Sequence, residues 1–187
     1  ALACVLSLTA RANVPLTEAL GNGPPIPAAP QLQATGYLLI DATNGEVLVE
    51  QNADQPLPPA SLTKMMTAYI TEREIAEGRI SFDDKVPVSI KAWKTGGSRM
   101  FIREGTEVRL EDLLRGIVIQ SGNDASVAVA EYIAGSEDVF ADVMNQTAVS
   151  LGMTNTQFKN STGLPPEGHY TTAKDLGIWA ARTIADF

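Results

Sequence analysis

Cysteine is almost missing from this 187-residue chain, and the single one, Cys4, falls within the first dozen positions. A disulfide framework or a cysteine metal cluster is thereby excluded, so stability must come from packing. Histidine is equally scarce. With His169 alone, a multi-histidine metal site is excluded and any Ser-His-Asp triad would have to use this residue, yet no Gly-x-Ser-x-Gly elbow accompanies it. Its setting, PPEGHYTTAKDL just before a helix cap, predicts loop packing. Positive charge is short as well: 14 Lys and Arg stand against 22 Asp and Glu, a net charge of −8. Without a basic cluster, a nucleic-acid partner is excluded. No stretch is long or apolar enough to span a bilayer, and nothing calls for a metal or an organic cofactor.

What is present reads as globular. Hydrophobic residues make up 44% and charged residues 19% of the chain, enough for one domain or part of one. ALACVLSLTARA (1–12) is a short apolar run ending in the small-x-small pattern of a secretory signal, and the chain is expected to begin inside a truncated signal peptide. Residues 13–35 hold much of the proline and predict an extended arm. GYLLIDATNGEVLVEQN (36–52) predicts a hairpin about Thr43-Asn44-Gly45, with Asn-Gly supplying positive φ angles.

Beyond Pro58 and Pro59, which stop any earlier start, Ser61 to Glu77 predicts a helix closed by Gly78. Further helices are expected over 108–120, from Asp124 to Gly135, over 136–153 behind a Ser cap, and over 171–187 behind Thr171 or Thr172. Ser121-Gly122-Asn123 is placed in a loop between two of them. One hairpin offers too few strands to complete a sheet. The paired acids Asp83-Asp84 and Glu111-Asp112 read as solvated surface, and Trp93 and Trp179 as packing.

PPASLTKMM (58–66) carries the first candidate chemistry. A serine hydroxyl is a poor nucleophile until a base takes its proton, and the i+3 position brings Lys64 over the same helical face as Ser61. For Lys64 to act as that base, burial must lower its affinity for a proton. The free N–H groups of a helix start could also receive an oxyanion. Taken singly, however, Ser-x-x-Lys occurs by chance about once in a chain this long, and a helix cap is then the better reading. Ser121-Gly122-Asn123, sixty residues on, is open to the same two readings: a proton-relaying hydroxyl with a substrate-holding amide, or a cap.

Both motifs together, in this order, resemble the low-molecular-weight penicillin-binding proteins, the serine D-alanyl-D-alanine carboxypeptidases. The resemblance runs from about Gly36 to the end, through PPASLTKMMTAYI, SRMFIREGTEVRLEDLLRGIVIQSGNDASVAVAEYIAG, LGMTNTQF and TGLPPEGHYTTAKDL. It implies an α+β (two-layer) fold of the β-lactamase and transpeptidase type, with a helical cluster on an antiparallel sheet, residues 36–187 being part of that catalytic domain. It further implies that Ser61 is the nucleophile, Lys64 its base, Ser121 the proton relay and Asn123 the substrate-holding amide. Peptidoglycan stem peptides would be the substrates and β-lactams the inhibitors.

The family's third element, Lys-Thr-Gly on a strand, does not follow the Ser-x-Asn loop. Lys94-Thr95-Gly96 precedes it within a Gly-rich segment and reads as coincidence, although Gly97, Ser98 and Arg99 beside it would border the site. The chain is therefore expected to be a fragment, inactive by itself, with apolar faces such as LLRGIVI left exposed. Periplasmic location is implied, with the inner membrane met only through a C-terminal anchor not in this sequence. Two alternatives stand beside this reading: a β-lactamase, for which Glu167 would have to activate water, and a non-catalytic peptidoglycan-binding protein.

Overall fold

Turn chemistry decides where the secondary structure begins. The computed structural model describes residues 29–187; the expected signal segment and most of the expected arm lie outside them, and 29–35 are exposed with no helix or strand. Strands β1 (Tyr37–Ile40) and β2 (Val47–Gln51) pair antiparallel, as expected, with a register shift between Leu39 and Ile40. The turn between them differs from the predicted tight Asn-Gly turn. Of its residues only Gly45 has a positive φ (+77°), because side-chain acceptors shape a wider loop: Asp41 takes the Thr43 N–H at 2.8 Å and Asn44 takes the Glu46 N–H at 2.8 Å.

The predicted helix after the prolines forms in two parts. Ala60–Leu62 make a 3₁₀ turn, and α1 follows over Thr63–Ala76, with Gly78 just beyond its cap at φ +73°. Two short strands went unpredicted. Strands β3 (Lys85–Pro87) and β4 (Glu107–Arg109) pair antiparallel, so the segment read as helix from 108 is strand up to Arg109. Between them lies α2 (Ile90–Lys94), capped by Ser89, and after them α3 (Leu110–Gln120). Lys94 and Thr95 thus end a short helix where the sequence predicts a Gly-rich loop, and, as expected, they form no strand.

Ser121 breaks the helical run in the left-handed conformation (φ +53°), and α4 begins at once, over Asn123–Ala134. Asn123 is therefore the first residue of a helix, not part of the loop. Helix α5 (Glu137–Leu151) starts behind the expected Ser136 cap, and α6 (Ala173–Asp186) behind Thr172, whose hydroxyl accepts from Asp175 N–H.

Helix α4 lies at the centre, with every residue from Asn123 to Ala130 buried. On one side Val86, Ile102, Leu110, Leu113 and Ile117 pack against its Ala125 and Val129; on the other, Met66, Ile70, Phe140, Met144 and Trp179 gather about Ala130. Small residues on α4 permit this two-sided approach. The LLRGIVI segment is accordingly divided: Leu113, Leu114 and Ile117 are core, and only Val118 and Ile119 stand out, each 73% exposed. Asp84 also exceeds its predicted surface role, since its carboxylate accepts from the Tyr132 hydroxyl at 2.8 Å and so ties β3 to α4.

Two bridges, Leu57 to Thr171 and Gln157 to Tyr170, bring the segment 157–172 alongside the entry to α1. There Gly163 is required. Its φ is +83°, and a Cβ on it would stand 1.8 Å from the Ala60 carbonyl oxygen. Gly163→Ala in the full-length gene product is expected to cost roughly 2–4 kcal/mol of folding stability, from backbone strain together with steric overlap. Urea unfolding checks this; a loss of a few tenths would mean that the two segments are not in close contact.

Candidate active site

Local geometry disposes of the cap reading for Ser61. Neither the 3₁₀ turn nor α1 carries a side-chain cap. The Ser61 hydroxyl, on an exposed residue, instead accepts from Lys64 Nζ at 3.3 Å. Ala60, at φ +47°, turns the chain sharply just before it. Lys64 itself is buried, with 4% of its surface exposed.

The second hydrogen bond of Lys64 is its shorter one. Nζ donates to the Thr162 carbonyl at 2.7 Å, and among the described residues no carboxylate forms an ion pair with it. Burial without a compensating anion disfavours the ammonium, and pushes the Lys64 pKa down to about 8. An exposed hydroxyl beside a buried amine that can be neutral near physiological pH is the arrangement that a serine nucleophile and its base require. The 3.3 Å separation is of the kind that closes when substrate binds.

Thr162 belongs to a segment held on all sides. Asn160 Oδ1 accepts from the N–H groups of Thr162 (3.1 Å) and Gly163 (2.7 Å). Thr67 donates to the Ser161 carbonyl at 2.8 Å, and Glu137 Oε1 accepts from Ser161 N–H at 3.1 Å and Ser161 Oγ at 2.9 Å. His169 is a further support, in line with its predicted packing role. Its Nδ1 accepts from Lys159 N–H at 3.0 Å, so the neutral ring carries its hydrogen on Nε2 and donates to Thr63 Oγ1 at 2.8 Å. Burial holds its pKa below the usual histidine value.

Ser61, Lys64 and Ser121 line one cavity of about 580 Å³, together with Met65, Tyr69, Ile117 and Val118. Ser121 Oγ is buried there and no described group hydrogen-bonds to it. Asn123 lies differently: its Nδ2 donates to the Gly96 carbonyl at 2.7 Å and its backbone N–H to Ser98 at 2.7 Å. Asp124, beside it, accepts from the N–H groups of Met100, Phe101 and Ile102 at 3.0, 2.8 and 3.2 Å. The Gly96–Ile102 loop is thus bound to the start of α4. Glu167 is exposed in a turn and does not line the cavity.

Thr162, Asn160, Glu137 and Asp124 were not anticipated. NSTG (160–163) carries a turn signal that could have located the Asn160 cradle, but no residue type announces that a carbonyl will face a lysine. Among the described residues there is no cluster of three or more potential metal-ligating side chains, and no helix is long and apolar enough to cross a membrane.

A serine and a buried lysine one turn apart, with a second serine on the same cavity, in a helical cluster of this order are the arrangement that the sequence resemblance implied. The chain belongs to the D-alanyl-D-alanine carboxypeptidase family, whose profile matches residues 24–186. It is 43% identical over 167 residues to the D-alanyl-D-alanine carboxypeptidase DacA of Escherichia coli, covering 86% of this chain and 41% of that protein. Among solved structures, the D-alanyl-D-alanine carboxypeptidase DacD of Francisella tularensis superposes with a TM-score of 0.86 at 42% identity, over 94% of this chain and 42% of that one. Penicillin-binding protein D2 of Listeria monocytogenes, in its ampicillin-bound form, superposes with a TM-score of 0.74 at 29% identity, over 84% and 65% of the two chains. The chain therefore spans about two fifths of the length of curated relatives such as these, and the expected α+β penicillin-binding-protein fold is the one it has.

The Lys64 shift carries a stability consequence. The folded pKa of about 8 lies below the unfolded value near ~10.4, so the unfolded state binds more protons between the two and stability rises with pH across that window. Below pH 8 the full cost of burying the ammonium is present. Lys64→Met is expected to be more stable than wild type at pH 6, with the difference shrinking from about pH 8 to 10. Thermal unfolding of both proteins across that range is the check, and a gap that does not narrow counts against it.

Proposed function

We propose that this chain carries the nucleophile and base of a serine D-alanyl-D-alanine carboxypeptidase that removes the terminal D-Ala from peptidoglycan stem peptides. The observation that carries the reading is the contact between exposed Ser61 and buried Lys64, whose pKa lies near 8. Neutral Lys64 takes the Ser61 proton as Oγ bonds to the carbonyl carbon of the scissile D-Ala-D-Ala link. When the C–N bond breaks, a proton passes from Lys64 by way of Ser121 to the departing amine. Water then attacks the ester, and Ser61 recovers its proton as the shortened peptide leaves.

Ser121 is suited to the relay because its hydroxyl is buried, unpartnered and on the same cavity. Asn123 is assigned to substrate contact through the amide valences that its bond to Gly96 leaves free. β-Lactams should acylate Ser61, since their strained amide stands in for the scissile bond; the ampicillin-bound relative supports this. A periplasmic location, with the inner membrane met peripherally through a C-terminal anchor, accords with such a substrate and with the apolar run at 1–9.

Labelling the full-length gene product with a fluorescent penicillin tests the assignment. Wild type is expected to take up one label, Ser61→Ala none, and Lys64→Ala to keep its fold while acylating about 10²- to 10⁴-fold more slowly. Labelling of Ser61→Ala, or none of wild type, would refute the acyl-enzyme reading and favour a non-catalytic binding protein. Rapid steady hydrolysis of penicillin would favour a β-lactamase.

The pH dependence follows from the same lysine. Acylation needs the neutral amine, so its rate constant should rise with pH and level off above about pH 8. A rate already maximal at pH 6 would remove Lys64 from the role of base.

A further inference from the structure

We propose that Glu137 is a positioning residue for Lys64: through Ser161 it fixes the Thr162 carbonyl, which turns one N–H of the amine aside and leaves the lone pair directed at Ser61. The inference rests on the proposed role of Lys64 as base. A neutral lysine amine has two N–H groups and one lone pair, and it can take Ser61's proton only when the lone pair faces the hydroxyl. A carbonyl oxygen accepts and never donates. Placed 2.7 Å from Nζ, the Thr162 oxygen claims an N–H and thereby selects among the three staggered orientations of the amine.

That selection is only as good as the fixing of the carbonyl. Thr67 and Asn160 hold its neighbours from α1 and from within the loop itself. Glu137 is the anchor from elsewhere in the fold. It stands in the first turn of α5, where a carboxylate ordinarily faces water and complements the helix dipole, as Asp138 beside it does on an exposed residue. Glu137 is instead buried, its side chain 10% exposed. Oε1 receives both donors of Ser161, at 3.1 and 2.9 Å, and Oε2 is neutralised by Lys91 Nζ at 2.9 Å. A buried carboxylate needs such partners. Both donors that Oε1 receives come from the residue whose own carbonyl carbon is bonded to the Thr162 nitrogen, so displacement of Ser161 moves the Thr162 peptide with it.

The test is rapid acylation of the full-length gene product by a fluorescent penicillin, at several concentrations, to separate the dissociation constant of the initial complex from the first-order acylation constant. Glu137→Met matches the length and removes the acceptor; Glu137→Gln keeps an acceptor oxygen without the charge. The Met variant is expected to acylate about tenfold more slowly with its dissociation constant unchanged, and the Gln variant to stay within about threefold of wild type. Ser161→Ala removes one of the two donors and should fall between them; it serves in place of the Met variant if that protein does not fold.

Equal first-order constants for wild type and Glu137→Met would overturn the proposal. So would a Gln variant as slow as the Met variant, a loss confined to the labelled fraction with the rate constant intact, or Ser161→Ala at the wild-type rate. Failure of the underlying reading is distinguishable, because it would appear as unlabelled wild type or labelled Ser61→Ala before any Glu137 variant is compared.

Discussion

A lysine ammonium buried with a carbonyl and a hydroxyl as its partners is the constraint around which the rest of this structure is arranged. Removing that charge from water is costly, so the side chain must be held in place by something other than an opposing charge. What holds it is backbone. The Ser161–Gly163 segment is pressed against the N-terminal turn of α1, so tightly that residue 163 has no room for a side chain. His169, Asn160 and Glu137 are each spent on keeping that segment there. The long loop between α5 and α6 is thus a wall of the site and not a connector.

A second constraint comes from α4. Because it is buried on all sides, its first turn cannot face solvent, and Asn123 and Asp124 must find partners inside the protein. They find them in one loop, Gly96–Ile102, which closes over the helix start through five hydrogen bonds. Strain collects at the same places. Of the four non-glycine residues with positive φ among the described residues, Ala60 and Ser121 adjoin or form part of the candidate site and Phe101 lies in the loop that Asp124 holds. Such conformations persist where surrounding structure over-determines them, and here the hydrogen bonds that do so are visible.

Local signals in the sequence located the five longer helices, though not the one-turn α2, because Ser136, Thr172, Gly78 and Gly135 act through their own backbone and cap within a few residues. They located the Ser61–Lys64 pair for the same reason: an i, i+3 spacing needs only one helical turn. Strands β3 and β4 were missed, since three-residue pairings between distant segments leave no period to read. The Asn-Gly turn was misjudged because Asp41 and Asn44 side chains outcompeted the two-residue geometry. The supports of Lys64 were illegible in principle. Thr162 acts through its carbonyl, which every residue possesses, and Glu137 sits where an acidic residue is already explained by helix capping and dipole.

The choice of partners for Lys64 is itself informative. A carboxylate within about 4 Å would stabilise the ammonium and raise its pKa by about 1–3 units, returning the lysine to the protonated form at neutral pH. A carbonyl and a hydroxyl can direct the amine without that effect, because neither carries a full charge. The acid that does stand behind the site, Glu137, reaches it by way of Ser161 and has its own charge met by Lys91. Rigidity is in this way supplied by a carboxylate while the lysine is left with uncharged neighbours. Shape and proton affinity at Lys64 are therefore controlled by different residues, and a substitution can disturb one while leaving the other in place.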